Sequence, residues 1–352
     1  MKRVFKTIGC ALLCAVLLAG LFVGILTLTE YRPRAVEEVA VSGRAPDRIA
    51  VGDAVRLLIW NTGYGALGDN ADFFMDGGTG VYTADKARTE ENLAGILEGI
   101  REEAPDLILL QETDKHSARS HRINQNERYR AAFPGMESAF ACNYRALFVP
   151  YPFPPIGTVE SGILTLSAYK ISGAERISLP CPFSWPVRTV NLKRCLLVTR
   201  LPVKGSDREL VLVNLHLEAY DDGNGKREQT KALAGFLQAE AAKGNYVIAG
   251  GDFNQSFSDT DLSGYPLLEG EWQPAILEVS ELGEGLTALM DPAAPTCRSL
   301  RTAYTGDREG FQFYMIDGFI VSDGITVEEV RTVDRNFRSS DHNPVVMTFR
   351  LN

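Results

Sequence analysis

The chain has little positive charge and few of the side chains from which soft-metal sites are built. It has 36 Lys and Arg residues against 45 Asp and Glu, a formal net charge of −9, and only four His and six Cys among 352 residues. A protein that binds nucleic acid nonspecifically usually has a basic face, so this balance weakens that interpretation but leaves a local basic cleft possible. There is no internal repeat or low-complexity tract, and 45% hydrophobic with 23% charged residues is typical of a globular protein.

The cysteines do not have the spacing of a zinc site. Two lie in the N-terminal apolar stretch, and the rest of the chain contains Cys142, Cys181, Cys195 and Cys297. In an exported protein these four can form disulfides in three possible pairings. Buried free thiols are the equal alternative, and the sequence leaves both open.

The N-terminus carries a basic flank followed by a long uncharged apolar stretch. Lys2, Arg3 and Lys6 precede residues 8–28, which are mostly apolar. About 20 apolar residues span a bilayer, whereas the core of a signal peptide usually has about 7–15. Residues 1–28 are therefore predicted to be an N-terminal transmembrane signal anchor, with a cleaved signal peptide and a buried soluble helix as the alternatives.

This anchor also predicts the location of the rest of the chain. A basic flank stays in the cytoplasm, so the protein is expected to be membrane-anchored with its main domain extracytoplasmic. Residues 29–52 are polar and contain two prolines, which predicts a linker. Residues 53–352 are then the folded domain, and no obligate protein partner is evident.

Hydrophobic periodicity predicts many short strands and few long helices in this domain. Amphipathic stripes predict helices over residues 87–103 and 226–242. Short apolar runs predict strands over residues 55–60, 107–110, 146–149, 162–166, 195–201, 210–215, 246–249 and 344–351. Residues 311–321 and 325–333 are predicted to form a hairpin. This pattern favours two stacked sheets with helices outside.

Polar clusters follow several of these apolar runs. In chain order they are Trp60-Asn61, Gln111-Glu112, Asn214-Leu215-His216-Leu217, Gly251-Asp252-Phe253-Asn254, Ile316-Asp317-Gly318-Phe319 and Ser340-Asp341-His342-Asn343-Pro344-Val345. Carboxylates, amides and imidazoles in this mixture are what metal-assisted phosphate ester hydrolysis requires. Alternation along a strand places Asn214 with His216 on one face, and likewise Asp252 with Asn254.

These clusters and their order, over roughly residues 53–351, resemble the endonuclease/exonuclease/phosphatase superfamily of deoxyribonuclease-like and sphingomyelinase-like metal-dependent phosphoesterases. The resemblance implies an α+β fold, a four-layer α/β/β/α sandwich of two stacked mixed β-sheets with flanking helices. It implies Mg²⁺ or Mn²⁺ as the cofactor and Glu112 as the principal ligand, with Asn61 in support. Asp341 can bind the metal directly or through water. Gly318 departs from the family pattern, which usually has an aromatic residue there.

The remaining residues have chemistry suited to catalysis. Asp252 can align the attacking water, and the Asn254 amide can donate to a phosphate oxygen or to the departing group. His216 resembles the family's phosphate-contacting histidine. His342 can accept a proton or, when protonated, stabilise the charge of a phosphorane, and Asp317 can orient its ring.

The sequence therefore predicts hydrolysis of a phosphate ester, with a phosphodiester favoured, by in-line attack of water at phosphorus. Nucleic acid and a phospholipid headgroup are the substrate classes left open. An inactive cell-surface binding module on the same fold is the alternative of a different class. The complete set of motifs argues against it, because a binding module has no need of both histidines and a metal carboxylate.

Residues that select the substrate are less clearly marked. Candidate phosphate contacts are Lys115, Arg119, His121, Arg122, Arg145 and Arg188, with a solvated charged surface as the alternative for each. The aromatic, proline-rich loop 151–155 is a candidate contact for lipid or a base, or else a packed loop. Residues 63–68 match a dinucleotide-binding glycine pattern without the helix that must follow it at once. Residues 259–270 begin like a calcium loop but lack its final glutamate.

Overall fold

Four α-helices lie in the part of the chain that the computed structural model describes, residues 2–221 and 223–352. They are α1 (Lys2–Leu28), α2 (Lys86–Glu103), α3 (Gln125–Ala132) and α4 (Asn224–Ala242). The two predicted amphipathic helices, α2 and α4, are confirmed. The side chain of Asp85 caps α2 by accepting a hydrogen bond from the Arg88 amide at 2.8 Å, and Ala104 ends it in the left-handed conformation.

The described residues also form nineteen strands. They are β1 (Val36–Glu38), β2 (Val41–Ser42), β3 (Ile49–Ala50), β4 (Val55–Asn61), β5 (Leu107–Asp114), β6 (Glu137–Val149), β7 (Gly157–Ser167), β8 (Gly173–Ser178), β9 (Cys195–Lys204), β10 (Glu209–His216), β11 (Tyr246–Asp252), β12 (Gln255–Phe257), β13 (Ala275–Leu277), β14 (Leu286–Leu289), β15 (Cys297–Arg298), β16 (Phe313–Tyr314), β17 (Asp317–Ser322), β18 (Ile325–Thr332) and β19 (Val345–Leu351).

Two mixed sheets contain most of these strands. The first has the order β1-β8-β9-β10-β11-β17-β14, with β3 paired to β9. The second has the order β18-β19-β4-β5-β7-β6-β2. Parallel pairs, β10 with β11 and β4 with β5, lie near the middle of each sheet, and α4 and α2 respectively provide their crossover connections.

Three apolar layers hold the sheets and helices together. Between the sheets, Leu57 and Ile59 of β4 pack with residues of β10, β11, β17 and β19. Leu233 and Leu237 of α4 cover the outer face of the first sheet. Residues of α2 and Tyr129 of α3 cover the outer face of the second. The predicted four-layer α/β/β/α sandwich is confirmed.

Helix α1 is long and apolar enough to cross a membrane by length and composition, as many signal sequences also are. Most of its side chains are exposed, but Leu26 is buried against the body. The segment predicted as a polar linker, residues 29–52, contributes β1 to the first sheet, β2 to the second, and β3 beside β9. This segment is thus paired with the body at three places, and Ile49 is fully buried.

The predicted hairpin of residues 311–321 and 325–333 is wrong. Strand β17 pairs with β11 and β14 in the first sheet, while β18 pairs with β19 in the second. The turn at residues 322–324 therefore carries the chain from one sheet to the other. Every residue of β17 is buried, because this strand lies between β11 and β14. Strand β18 lies at the edge of the second sheet, and most of its residues are at least partly exposed.

Candidate active site

Strand register brings the predicted polar residues together at one edge of the sandwich. In the first sheet His216 lies opposite Asp252 across the parallel pair of β10 and β11, and Asp252 lies opposite Asp317 of β17. In the second sheet Asn61 lies opposite Gln111, the residue before Glu112. Carboxyl ends of parallel strands meet at one edge, so both sheets present their polar residues to the same cleft.

Asp252 is the centre of this arrangement. Its Oδ2 accepts a hydrogen bond from Asn61 Nδ2 at 2.9 Å and lies 3.4 Å from His216 Nε2 and 3.8 Å from His342 Nε2. Its other oxygen, Oδ1, accepts from the backbone amide of Asn254 at 2.8 Å. Side chains from both sheets thus converge on one buried carboxylate.

His342 is held by Asp317. The two side chains are joined at 2.8 Å between His342 Nδ1 and Asp317 Oδ2, and both are buried. Trp60 Nε1 donates to the backbone carbonyl of His342 at 2.8 Å and fixes the main chain. The Nε2 atom of the ring is therefore the one directed at Asp252 and the cleft.

Two site residues have left-handed backbone conformations. The φ angle of Glu112 is 55° and that of Asn254 is 51°. Such angles are uncommon for residues with a side chain and are concentrated at functional sites. The Asn254 side-chain amide donates to the Leu217 carbonyl at 2.9 Å, so part of its hydrogen-bonding capacity holds the loop after β10.

A buried amide pair joins the two sheets beneath the site. Gln111 of β5 donates through Nε2 to Asn214 Oδ1 of β10 at 2.8 Å. The Asn214 amide donates in turn to the carbonyls of Leu110 and Leu164. Asn214 shares a face with His216 as predicted, but it lies deeper and fixes the spacing between the sheets.

The two histidines have opposite electrostatic environments. Burial lowers the pKa of His216 far below its usual value, and the charge of Arg194 adds to this effect. Burial would also lower the pKa of His342, but Asp317 and Cys297 outweigh it and hold that pKa well above the usual range. At neutral pH the site therefore combines a neutral and a charged imidazole.

The carboxylates are affected mainly by burial. Burial raises the pKa of Asp252 to about 6, with a further contribution from the negative charge of Asp317. Burial likewise raises the pKa of Asp341 to about 7, and the charge of Glu112 adds to it. Buried carboxyl groups with raised pKa values are stabilised in their charged form by a cation.

Comparison with known proteins gives a consistent family assignment. The model of the endonuclease/exonuclease/phosphatase family matches residues 58–342. The chain belongs to this family. A search among curated proteins found no match.

Several solved structures have the same fold as this chain, although their sequence identity to it is low. An endonuclease/exonuclease/phosphatase from Beutenbergia cavernae is 18% identical with a TM-score of 0.58, over 85% of this chain and 72% of that one. The human Nocturnin catalytic domain with bound sulfate is 18% identical with a TM-score of 0.53, over 89% and 98%. ANGEL2, a 2′,3′-cyclic phosphatase, is 14% identical with a TM-score of 0.54, over 90% and 99%.

Enzymes of the endonuclease/exonuclease/phosphatase family generally use divalent metals, and the donor set of this chain fits one. Glu112 and Asp341 offer hard oxygen ligands, which Mg²⁺ and Mn²⁺ prefer. Asn61 faces Glu112 and Asp252 with its amide nitrogen, and its oxygen accepts a hydrogen bond from the Gly63 amide at 3.1 Å, so it supports Glu112 by hydrogen bonding. The space beside Asp341 is kept open by Gly63, since a Cβ there would lie 2.8 Å from Asp341 Oδ1. Ligand atoms of Cys297 and His342 lie within 4.8 Å of Asp341, but a thiolate is a soft ligand, whereas Mg²⁺ prefers oxygen.

All four cysteines of the body are free thiols in this structure. Cys195 and Cys297 are buried, whereas Cys142 is partly and Cys181 fully exposed. The sequence alone had left disulfides and free thiols open.

Most of the candidate phosphate contacts lie outside the cleft. Lys115 pairs with Glu160, and His121 Nε2 lies 2.9 Å from the carbonyl of Ala84. Arg119 lines the cleft, but both its hydrogen-bonding edge and its face are engaged, by Asp114 and by the ring of Tyr64. Arg145 lies over Tyr31, and Arg188 pairs with Glu30.

The sequence did not identify two cleft arginines. Arg194 and Arg298 line the cleft and are almost fully buried. Arg194 pairs with Glu218 at 3.6 Å, and its Nε has no hydrogen-bond partner among the described residues. Neither arginine belongs to a polar cluster at a strand end, so their positions emerge only from the folded chain.

Proposed function

We propose that this family member is a divalent-metal-dependent phosphodiesterase that hydrolyses its substrate by in-line attack of water. The observation that supports it best is the convergence of His216, His342 and Asn61 on Asp252 while Asp317 holds the far side of His342. A solely structural cluster would not leave two imidazole edges and a carboxylate directed into an open cleft.

In this proposal Glu112 and Asp341 hold Mg²⁺ or Mn²⁺, with Asn61 supporting Glu112 through the hydrogen bond of 3.3 Å from Nδ2 to Oε1. The bound cation supplies positive charge at the phosphate and favours the ionised carboxylates around it. The protein positions these ligands rigidly, because each lies at or beside the end of a buried strand.

The remaining residues act on the water and the phosphate. Asp252 aligns the water and accepts its proton, for which a pKa of about 6 is well suited. Protonated His342 stabilises the negative charge that develops on the phosphorane, and Asp317 maintains that protonation. His216 and Asn254 complete the phosphate site.

We further propose that residues 1–28 anchor the enzyme in a membrane with its catalytic domain on the extracytoplasmic side. The length of α1, its exposed apolar surface and the basic residues at its start support this arrangement.

A substrate panel tests the reaction. Bis(p-nitrophenyl) phosphate, DNA, RNA, sphingomyelin and inositol phosphates are each assayed with Mg²⁺, with Mn²⁺ and with EDTA. We expect turnover of at least one diester with metal and none with EDTA, while circular dichroism shows an unchanged fold. Undiminished hydrolysis of every active substrate in EDTA contradicts the metal mechanism.

A further inference from the structure

The catalytic cleft continues into an apolar arm. One cavity of about 840 Å³ contains Glu112, Asp252 and His342 in its lining, and the same cavity is lined by Val149, Val187 and other apolar residues. A small phosphodiester does not need this arm, because the polar end alone accommodates a phosphate. The volume is at the upper end of what ligand pockets occupy, about 300–1,000 Å³.

Helix α1 forms part of the wall of this arm. Phe22, Val23 and Leu26, all in its last two turns, line the cavity. At about 1.5 Å per residue, Phe22 lies about 9 Å from the end of the helix at Leu28. If α1 spans a membrane, these three residues are within the leaflet that faces the body, so the arm meets the hydrocarbon of that leaflet.

The body is fixed to the end of α1 in a defined orientation. Trp185 Nε1 donates to Thr27 Oγ1 at 3.0 Å, and the rings of Phe22 and Phe148 meet edge to face at 6.2 Å. The side chain of Glu30, only 2% exposed, pairs with Arg188 at 3.3 Å. Lys193 and Arg32 pair with the same carboxylate, at 3.4 and 2.9 Å.

Exposed apolar side chains lie in the loop that follows β6 and in the segment that carries Trp185. Tyr151 and Phe153 are 70% and 94% exposed, and Trp185 and Val187 are 57% and 54% exposed. Aromatic side chains of this kind are enriched at membrane–water interfaces. The sequence left lipid contact or packing open for loop 151–155. The ring of Tyr151 packs against Phe74 at 5.8 Å and lines the same cavity as Phe22, whereas Phe153 is free to contact lipid.

We propose that the substrate is a phosphodiester lipid, which enters from the adjoining leaflet with its hydrocarbon chain in the apolar arm and its phosphate at Asp252 and His342. This inference rests on the proposed function and names its substrate class. The arm is lined by apolar side chains, which suit a hydrocarbon chain. The arginines that line the same cavity, Arg119, Arg194 and Arg298, are engaged by Asp114, by Glu218 and by the Gly68 carbonyl, so they are not free to hold a nucleic-acid backbone. The net charge of −9 also disfavours nucleic acid.

The test uses the full chain in lipid nanodiscs with Mg²⁺ or Mn²⁺. Its substrates are glycerophosphoglycerol, dihexanoyl and dioctanoyl phosphatidylglycerol, bis(p-nitrophenyl) phosphate and single-stranded DNA. We expect kcat/KM to rise at least about tenfold from the deacylated to the dioctanoyl diester, because each buried methylene favours the lipid. Val187→Glu should reduce this ratio at least about threefold. Val51→Glu is the matched control, since Val51 is 49% exposed and does not line the cavity, and it should leave the ratio unchanged.

A second measurement requires no turnover. A phosphatidylcholine with a photoreactive diazirine at the end of its acyl chain is incorporated into the nanodisc, and labelling of residues 73–75, which line the cavity, is measured by mass spectrometry. We expect labelling that Val187→Glu reduces and Val51→Glu does not. Absence of labelling overturns the lipid inference whether or not the enzyme is active.

The two proposals fail in different ways. Hydrolysis of bis(p-nitrophenyl) phosphate or DNA without any preference for acylated diesters overturns the lipid inference and leaves the phosphodiesterase intact. Labelling of the arm without hydrolysis of any diester overturns the proposed activity and leaves a lipid-binding cavity.

Discussion

His342 is held by Asp317 at one ring nitrogen and faces Asp252 with the other. In the proposed mechanism its replacement removes an interaction with the reacting phosphate. We expect His342→Ala to lower kcat by about 10²–10⁴-fold with little change in KM, since a group that acts in the transition state contributes mainly to kcat. Steady-state kinetics at saturating metal measure both constants. Near-normal turnover would remove His342 from the mechanism.

Asp317→Asn should lower kcat less than His342→Ala, because the ring stays in place but its positive charge loses support. The double variant should be little worse than His342→Ala alone, since Asp317 acts through that ring. If the two losses multiply fully, the residues act independently and the positioning role of Asp317 is wrong.

Gly63 keeps space open beside Asp341. Its φ is +49°, and a Cβ there would lie 2.8 Å from both Asp341 Oδ1 and Leu67 Cβ. We expect Gly63→Ala to weaken metal activation at least about tenfold, because displacing a ligand by even a fraction of an ångström disrupts a site. Gly52→Ala is the control, since its φ of +83° imposes similar strain with no atom within 4 Å. Titration of activity with Mn²⁺ compares the two, and equal losses would assign the effect to backbone strain alone.

At the scale of elements, α4 is joined to the first sheet by Arg200 of β9 and Glu240, 2.8 Å apart. The hydrogen bond from Arg200 lowers the pKa of Glu240 to about 2 from a usual value of 4.5. Because the folded-state pKa is depressed, this contribution to stability is fully present above about pH 4.5 and is lost as the pH falls towards 2.

We therefore expect Glu240→Gln to lower the free energy of unfolding by about 1–3 kcal/mol at pH 7 and by much less near pH 2. Glu328→Gln is the control, because it removes the partner of Arg350 in an exposed ion pair. It should change the free energy of unfolding by less than about 1 kcal/mol at both pH values. Urea denaturation of the full chain in detergent measures both variants. An effect of Glu240→Gln that does not depend on pH would contradict the ion-pair origin.

The elements that periodicity predicted correctly are those whose faces are determined by local pattern. Helices α2 and α4 have clear apolar stripes, and β4, β5, β10 and β11 are continuous apolar runs. Periodicity did not predict β1, β2 and β3, because strands of two or three residues are defined by their partners and carry no periodic pattern of their own. The prediction of a hairpin around residues 322–324 was wrong because a turn in the sequence does not specify which sheet the next strand joins.

The site was predictable to the extent that its residues lie at strand ends. Asn61, Glu112, His216, Asp252, Asn254, Asp317, Asp341 and His342 all fall where a polar cluster follows or precedes an apolar run, and the structure brings them to one cleft. Arg194, Arg298 and the apolar arm were not predictable. Their side chains reach the cleft from short strands and loops that only the tertiary structure brings together.

At the scale of the whole molecule, we expect the segment between α1 and β4 to belong to the stable body. A protein beginning at Glu30 should be soluble and keep its activity on a soluble diester, whereas one beginning at Asp53 loses β1, β2, β3 and buried Ile49. Burial of one such side chain contributes about 1.5–3 kcal/mol, so the shorter protein should melt at least about 2 °C lower. Thermal unfolding followed by circular dichroism compares the two proteins. Equal melting temperatures would mean that residues 30–52 are a linker that does not stabilise the body.

The hydrogen bond from Gln111 to Asn214, which joins the two sheets, has a consequence for the order of events during folding. The site draws Asn61 from one sheet and Asp252 from the other, 191 positions apart, and Trp60 supports His342 across 282 positions. Contacts between such distant parts of a chain form slowly, because closing a long loop costs entropy before the contacts can stabilise the fold. A refolding chain can therefore regain much of its secondary structure while it is still inert, and hydrolytic activity should be among the last properties to return.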